Sequence, residues 1–151
     1  LADRHPEQAL WPRDGLQRAR ARSLCAEMHA GFGALRSHCT MNIEASLPEV
    51  GARVLAEQAG LRADLARIDA MWSEQVAASG GPFLFGAFSI ADAYYAPVVS
   101  RLRTYGLPLS ATARAYAERV WAAPGVAAWV ADALAEQDYL DFEEPYRKSR
   151  D

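Results

Sequence analysis

Cys25, Met28, His29, Phe32 and Arg36 recur at helical spacing, so a helix through "SLCAEMHAGFGALR" carries all five on one stripe. The stripe is apolar enough to face a core or a cleft, yet it holds an imidazole and a guanidinium. Positive charge beside an apolar pocket favours a thiolate, because a thiol titrating near about 8.5 ionises at neutral pH only with such help. The same residues also fit a satisfied helix histidine at a seam and an arginine in a structural salt bridge or dimer contact. A second face joins Tyr94, Val98, Arg101 and Tyr105, with Arg101 either on a pocket floor or on an exposed rim. Asn42, in "TMN", can bond a ligand or end a helix with a turn.

Metal chemistry fits poorly. Cys25, His29, His38 and Cys39 are zinc-type ligands, but a continuous helix would hold the two pairs about 15–20 Å apart. Ligation at about 2.0–2.3 Å cannot bridge that, so no metal is expected unless the helix breaks. The two cysteines would sit about 21 Å apart along the same helix, too far for a disulfide. Reduced thiols suit a cytoplasmic address.

A chain of 151 residues, 51% apolar and 23% charged, has the length and composition of one globular domain with a core. Its net charge of −3 argues against a nucleic-acid grip, which needs a basic surface. Arg13, Arg18, Arg20 and Arg22 wrap around a helix start rather than forming a stripe. No apolar run approaches the roughly 18 residues of a membrane span, so no membrane partner is expected. The chain opens on Leu1 rather than Met, which implies that it begins inside something larger or has been processed.

No stretch alternates with a period of two, so the expectation is all-α. "LADRHPEQALWPRDG" reads as the end of a helix and a Pro-rich linker over 1–14, leaving 15–151 as the helical domain. A first long helix starts behind Asp14 as N-cap and runs to about Ser37. A second covers roughly Glu49 to Ala78, with Val54, Leu61, Leu65, Ile68, Trp72 and Val76 inward. "SGGPFLFGAF" is a Gly-rich loop whose Phe83, Phe85 and Phe88 should be tucked against the core. "SIAD" sets Ser89 and Asp92 as a capping box for the third helix, which holds Pro97 inside it, a source of a kink, and stops at Gly106. Ser110 caps the next helix. Pro124-Gly125 breaks the chain before a short last helix with Trp129 and Leu134 inward, and the tail from Asp138 covers part of the surface. The sum is a five- to six-helix bundle.

Three segments resemble the C-terminal, all-helical domain of the glutathione S-transferase superfamily. "FLFGAFSIAD" is similar to the segment that opens that domain's central helix, through Gly86, Ser89, Ala91 and Asp92. "AEMHAGFGALR" is similar to the first helix of bacterial members, and "LADRHPEQALWP" to the end of the preceding thioredoxin-like domain and its linker. Thr40 stands where bacterial relatives usually carry proline before Met-Asn.

The resemblance implies the helical half of a transferase that joins glutathione, as co-substrate, to a small hydrophobic electrophile. It implies a homodimer with contacts from the first two long helices. The thioredoxin-like half that activates the thiol is not among these residues, so no catalytic residue is expected here. His29 is the glutathione-adjacent residue that the resemblance implies. Met28, Phe32, Arg36, Asn42, Arg101 and Tyr105 are expected to line the substrate pocket, while Ser89 and Asp92 serve folding. The alternative is a non-catalytic helical module for binding or assembly.

Overall fold

A carboxylate opens the first helix: Asp14 accepts from the Gln17 amide at 2.9 Å, and α1 runs Gly15–Ala30. The structure, a computed structural model, describes residues 2–149. The expected single helix to Ser37 is in fact two. Gly31 is extended, Phe32 turns left-handed at φ 56°, and α2 then runs Gly33–His38. Gly31 is required there, since a Cβ would lie 2.6 Å from the Glu27 carbonyl oxygen. Burial of the Phe32 ring offsets the cost of its backbone.

The expected second helix divides as well, into α3 (Pro48–Glu57) and α4 (Ala59–Ser79) around an extended Gln58. Both breaks use the same device. Arg36 donates to the carbonyls of His29 and Gly31 at 2.9 and 2.5 Å, and Arg62 donates to those of Leu55 and Ala56 at 2.6 and 2.9 Å. Each guanidinium satisfies the free carbonyls of the helix before its own.

The central helix, α5 (Ile90–Thr104), lies between α1 and α6 and buries most of its length. It passes through Pro97 without ending, and Gly106 takes the left-handed stop expected of it. Next come α6 (Ala111–Ala122), capped by Ser110, and α7 (Pro124–Glu136). Only Ala123 separates these two. Pro124 opens α7 rather than interrupting the chain, because its missing N–H costs nothing in a first turn. Seven α-helices are therefore present among the described residues, against the five or six expected. Residues 2–8 form two short 3-10 turns, and the Ile90 amide donates to the Leu10 carbonyl, tying this lead-in to the start of α5.

The core is centred on Trp72, edge-on to Tyr95 at 5.6 Å and to Tyr116 at 5.0 Å. The phenylalanine loop differs from expectation. Leu84 is its fully buried residue; Phe83 and Phe85 are half-buried and Phe88 is 39% exposed, packed edge-on to Phe83. Leu134 also differs, at 43% exposed, whereas Trp129 packs on the core.

Asp92 is wholly buried and accepts four hydrogen bonds. Its Oδ2 takes the Ser89 amide at 2.8 Å and the Ser89 hydroxyl at 3.0 Å. Its Oδ1 takes the Leu84 amide and the Tyr116 hydroxyl, both at 3.1 Å. One carboxylate thus joins the loop, the start of α5 and the middle of α6. Burial lifts the Asp92 carboxyl above its ordinary range, against the pull of those hydrogen bonds. A carboxyl so raised favours folding most below its unfolded value of 3.8, and that share is lost as pH rises through the folded value.

Asp92→Ala should cost about 3–5 kcal/mol in urea unfolding, since several buried donors lose their acceptor at once. Tyr116→Phe removes one donor and should cost about 1–1.5 kcal/mol. The stability gap between wild type and Asp92→Asn, which cannot titrate, should narrow as pH is raised from about 4.

Candidate functional site

The stripe that suggested chemistry does not stay together. Cys25 is buried in the core and Met28 half-buried against it, while Phe32 is buried beyond the helix break. Arg36 spends its guanidinium on carbonyls at the α1 terminus. His29 ends up exposed on the last turn of α1, its imidazole without a hydrogen bond among the described residues. Although the helix breaks between Cys25 and Cys39, no three His, Cys, Asp or Glu side chains converge to hold a metal among the described residues.

A cleft of about 470 Å³ opens instead where the α2–α3 loop, α5, the end of α7 and the tail meet. Met41, Ile43, Leu134 and Leu140 give it apolar walls, and Asn42 and Arg101 line it from below. Of the six residues expected in a pocket, these last two are in it and Met28, Phe32, Arg36 and Tyr105 are not. A second hollow of similar size, at Val99, Arg103, Leu107 and Arg114, contains none of the six.

Asn42 is fully engaged. Its Oδ1 accepts from the amides of Glu44 and Ala45 at 3.1 and 2.9 Å, and its Nδ2 donates to Glu144 Oε2 at 2.6 Å. Its carbonyl takes the Thr104 hydroxyl at 2.5 Å. This shapes the loop and gives both polar atoms of the side chain a partner within the protein. Tyr105 is buried behind the cleft, its hydroxyl 3.2 Å from Thr40 Oγ1, and burial pushes its phenol up.

The tail completes the cleft from the outside. Tyr146 donates to the His38 carbonyl at 2.7 Å, stacks edge-on to Tyr105 at 6.0 Å and lies under the Arg53 guanidinium. Arg147 binds Glu144 at 2.5 Å and Glu44 at 3.2 Å. Met41, Ile43, Leu140 and Glu143 do not stand out in the sequence. Their only signal is the mixture of aromatic and charged residues after Asp138, which is typical of a segment that packs with one side.

Residues 17–132 match the family described as "Glutathione S-transferase, C-terminal domain". The chain belongs to that family. The match spans α1 through most of α7, so the family covers the helical bundle and stops before the tail that closes the cleft. No curated protein matches the chain. Family membership accounts for the all-α bundle with its central α5; among the described residues no helix is long and apolar enough to cross a membrane.

The surroundings of this domain's own cysteines disfavour their thiolates. Burial pushes the Cys25 thiol up to about 11, with the Asp92 carboxylate adding to it. Burial pushes Cys39 to about 11 as well, despite the counter-pull of Arg101. At pH 8 only about one molecule in a thousand carries either thiolate. A chromogenic disulfide reagent should therefore leave both cysteines unmodified in the folded protein at pH 8 and titrate both promptly in denaturant.

Proposed function

We propose that this domain is the helical half of a glutathione transferase and that the α5–α7 cleft receives the hydrophobic electrophile. The observation that carries the proposal is an open cleft in a domain of this family, walled by Met41, Ile43, Leu134 and Leu140. In this reading residues 1–14 link to a thioredoxin-like half and 15–151 form the helical domain. That other half would bind glutathione as co-substrate and activate its thiol. His29, solvent-facing on the last turn of α1, is the residue offered to the glutathione sulfur. Its exposure supports the assignment, because no described residue of the domain engages the imidazole. Met28 lies one position before it and would border the same seam.

Arg36 and Tyr105 support the pocket indirectly in this scheme, one by fixing the end of α1 and the other by backing the tail. Phe32 supports it only as core. The protein would work in the cytoplasm as a homodimer, with α1 through α4 supplying the dimer contacts.

Two substitutions in the intact protein test this. Leu140→Asp should raise KM for a nitroaryl chloride about fivefold or more while leaving KM for glutathione unchanged, since an apolar wall becomes charged. An unchanged electrophile KM would remove the cleft from the reaction. His29→Ala should move the pH profile of conjugation upward by about half a unit or more, as a donor near the sulfur is lost. An unchanged profile and glutathione affinity would make His29 structural, and absence of conjugation altogether from the intact wild type would favour the non-catalytic module.

A further inference from the structure

We propose that Arg101 is the anchoring cation for a carboxylate on an otherwise apolar ligand of the α5–α7 cleft. The proposal rests on the reading of that cleft as the ligand pocket and gives it a substrate class: apolar, aryl-type monocarboxylates.

Arg101 differs from the other half-buried arginines, of which Arg18 has two carbonyls and Arg119 one at 2.6 Å, and from two exposed ones, Arg62 and Arg67. Arg67 makes two hydrogen bonds to Glu27, at 2.6 and 2.8 Å. Arg147 has two carboxylates, and Arg36 and Arg62 each have two carbonyls. Among the described residues Arg101 has a single contact, from Nη1 to the Pro97 carbonyl at 3.5 Å, the outer limit for such a bond. Its Nε is buried and has no partner there. Nor does it form an ion pair among those residues. A guanidinium carries five donors in a fixed fork and cannot shed its charge, so leaving it desolvated and unmatched is costly.

The surroundings raise that cost. Burial and the nearby Arg36 cation both act against the charged form of Arg101, and Glu143 offsets them only weakly. Arg36 cannot relieve Arg101, being itself a donor. Tyr105 and Asn42, the other polar neighbours at the base of the cleft, are committed to Thr40 and to Glu144 and the loop amides. The cleft that Arg101 lines is the side from which an acceptor can reach it. A carboxylate suits it, since its two oxygens match the guanidinium fork.

The rest of the lining says what that carboxylate must be attached to. Apolar side chains from the loop, Met41 and Ile43, face apolar side chains from α7 and the tail, Leu134 and Leu140. Glu44, Glu136, Asp138, Glu143 and Glu144 stand at the edges. Glu44 and Glu144 are held by Arg147, and Glu136, Asp138 and Glu143 are exposed. Exposed charges more than about 8–10 Å apart are largely screened by salt, whereas an ion pair at a half-buried guanidinium is screened much less. The rim thus disfavours ligands with negative charge at the mouth, while Arg101 holds one whose acid lies deep and whose outer part is apolar.

The test compares 2-naphthoate with uncharged 2-naphthamide by titration calorimetry on the intact protein. Wild type should bind the acid about tenfold more tightly than the amide. Arg101→Gln should abolish that preference and keep the amide affinity. Arg101→Lys, which retains charge but not the fork, should retain part of it. Glu143→Gln, at an exposed position that leaves folding intact, should tighten naphthoate and not naphthamide. Equal affinities in wild type, or a preference that survives Arg101→Gln, overturn the proposal; if that variant does not fold, an unchanged preference in both Arg101→Lys and Glu143→Gln does so. Competition separates this inference from the one beneath it. Naphthoate bound through Arg101 that fails to inhibit conjugation would keep the anchor and remove the electrophile pocket. Inhibition by acid and amide alike would keep the pocket and remove the anchor.

Discussion

One buried carboxylate organises the molecule. Asp92 gathers donors from Leu84, Ser89 and Tyr116, three segments that otherwise meet through apolar contacts and one hydrogen bond from Arg119 to the Pro82 carbonyl. Apolar burial is non-directional and would tolerate small rotations of α5 and α6 against the loop. A carboxylate with four donors does not, because each lost bond strands a donor in the interior. Fixing the start of α5 fixes the register of everything along it. Tyr95 then reaches the Leu24 carbonyl of α1, and Thr104 reaches the Asn42 carbonyl of the loop, two contacts well separated along one helix. The base of the cleft is positioned by the same helix.

Much of this was legible in the sequence because its signals are local. The S-x-x-D spacing, Asp14 and Ser110 as caps and Gly106 as a stop each act within one turn of the residue that carries them. The apolar spacing from Val54 to Val76 located the second long helical region for the same reason. The breaks at Phe32 and Gln58 were not legible. Neither carries a proline, and a left-handed phenylalanine contradicts its own preference. They exist because groups more than one turn away stabilise them: a core for the Phe32 ring, and Arg36 and Arg62, five to seven positions on, for the stranded carbonyls. Gly51 is a similar case. A Cβ there would lie 1.8 Å from the Tyr105 carbonyl oxygen, an approach between α3 and the end of α5 that no local pattern foretells.

The lining of the candidate cleft was legible in part. Arg101 and Asn42 line the cleft, and both stood out as polar residues in apolar surroundings. Asn42 proved to be a builder of the loop, because the carboxylate that claims its amide group comes from residue 144. The apolar walls were missed, since Leu134 looks like a core residue, Leu140 does not stand out, and both become wall residues only because the tail folds back. Pairings across more than a hundred positions leave no periodic trace.

That return of the tail bears on how the protein is made. The cleft's inner parts, the loop and α5, leave the ribosome early, and α1 to α6 emerge before α7 and the tail. The outer wall, by contrast, depends on Glu144, Tyr146 and Arg147 finding Asn42, His38 and Glu44. The helices therefore leave the ribosome before the segment that walls the cleft and covers Tyr105. The order of synthesis makes the cleft's outer wall the last part of the domain to emerge, after the bundle that it covers.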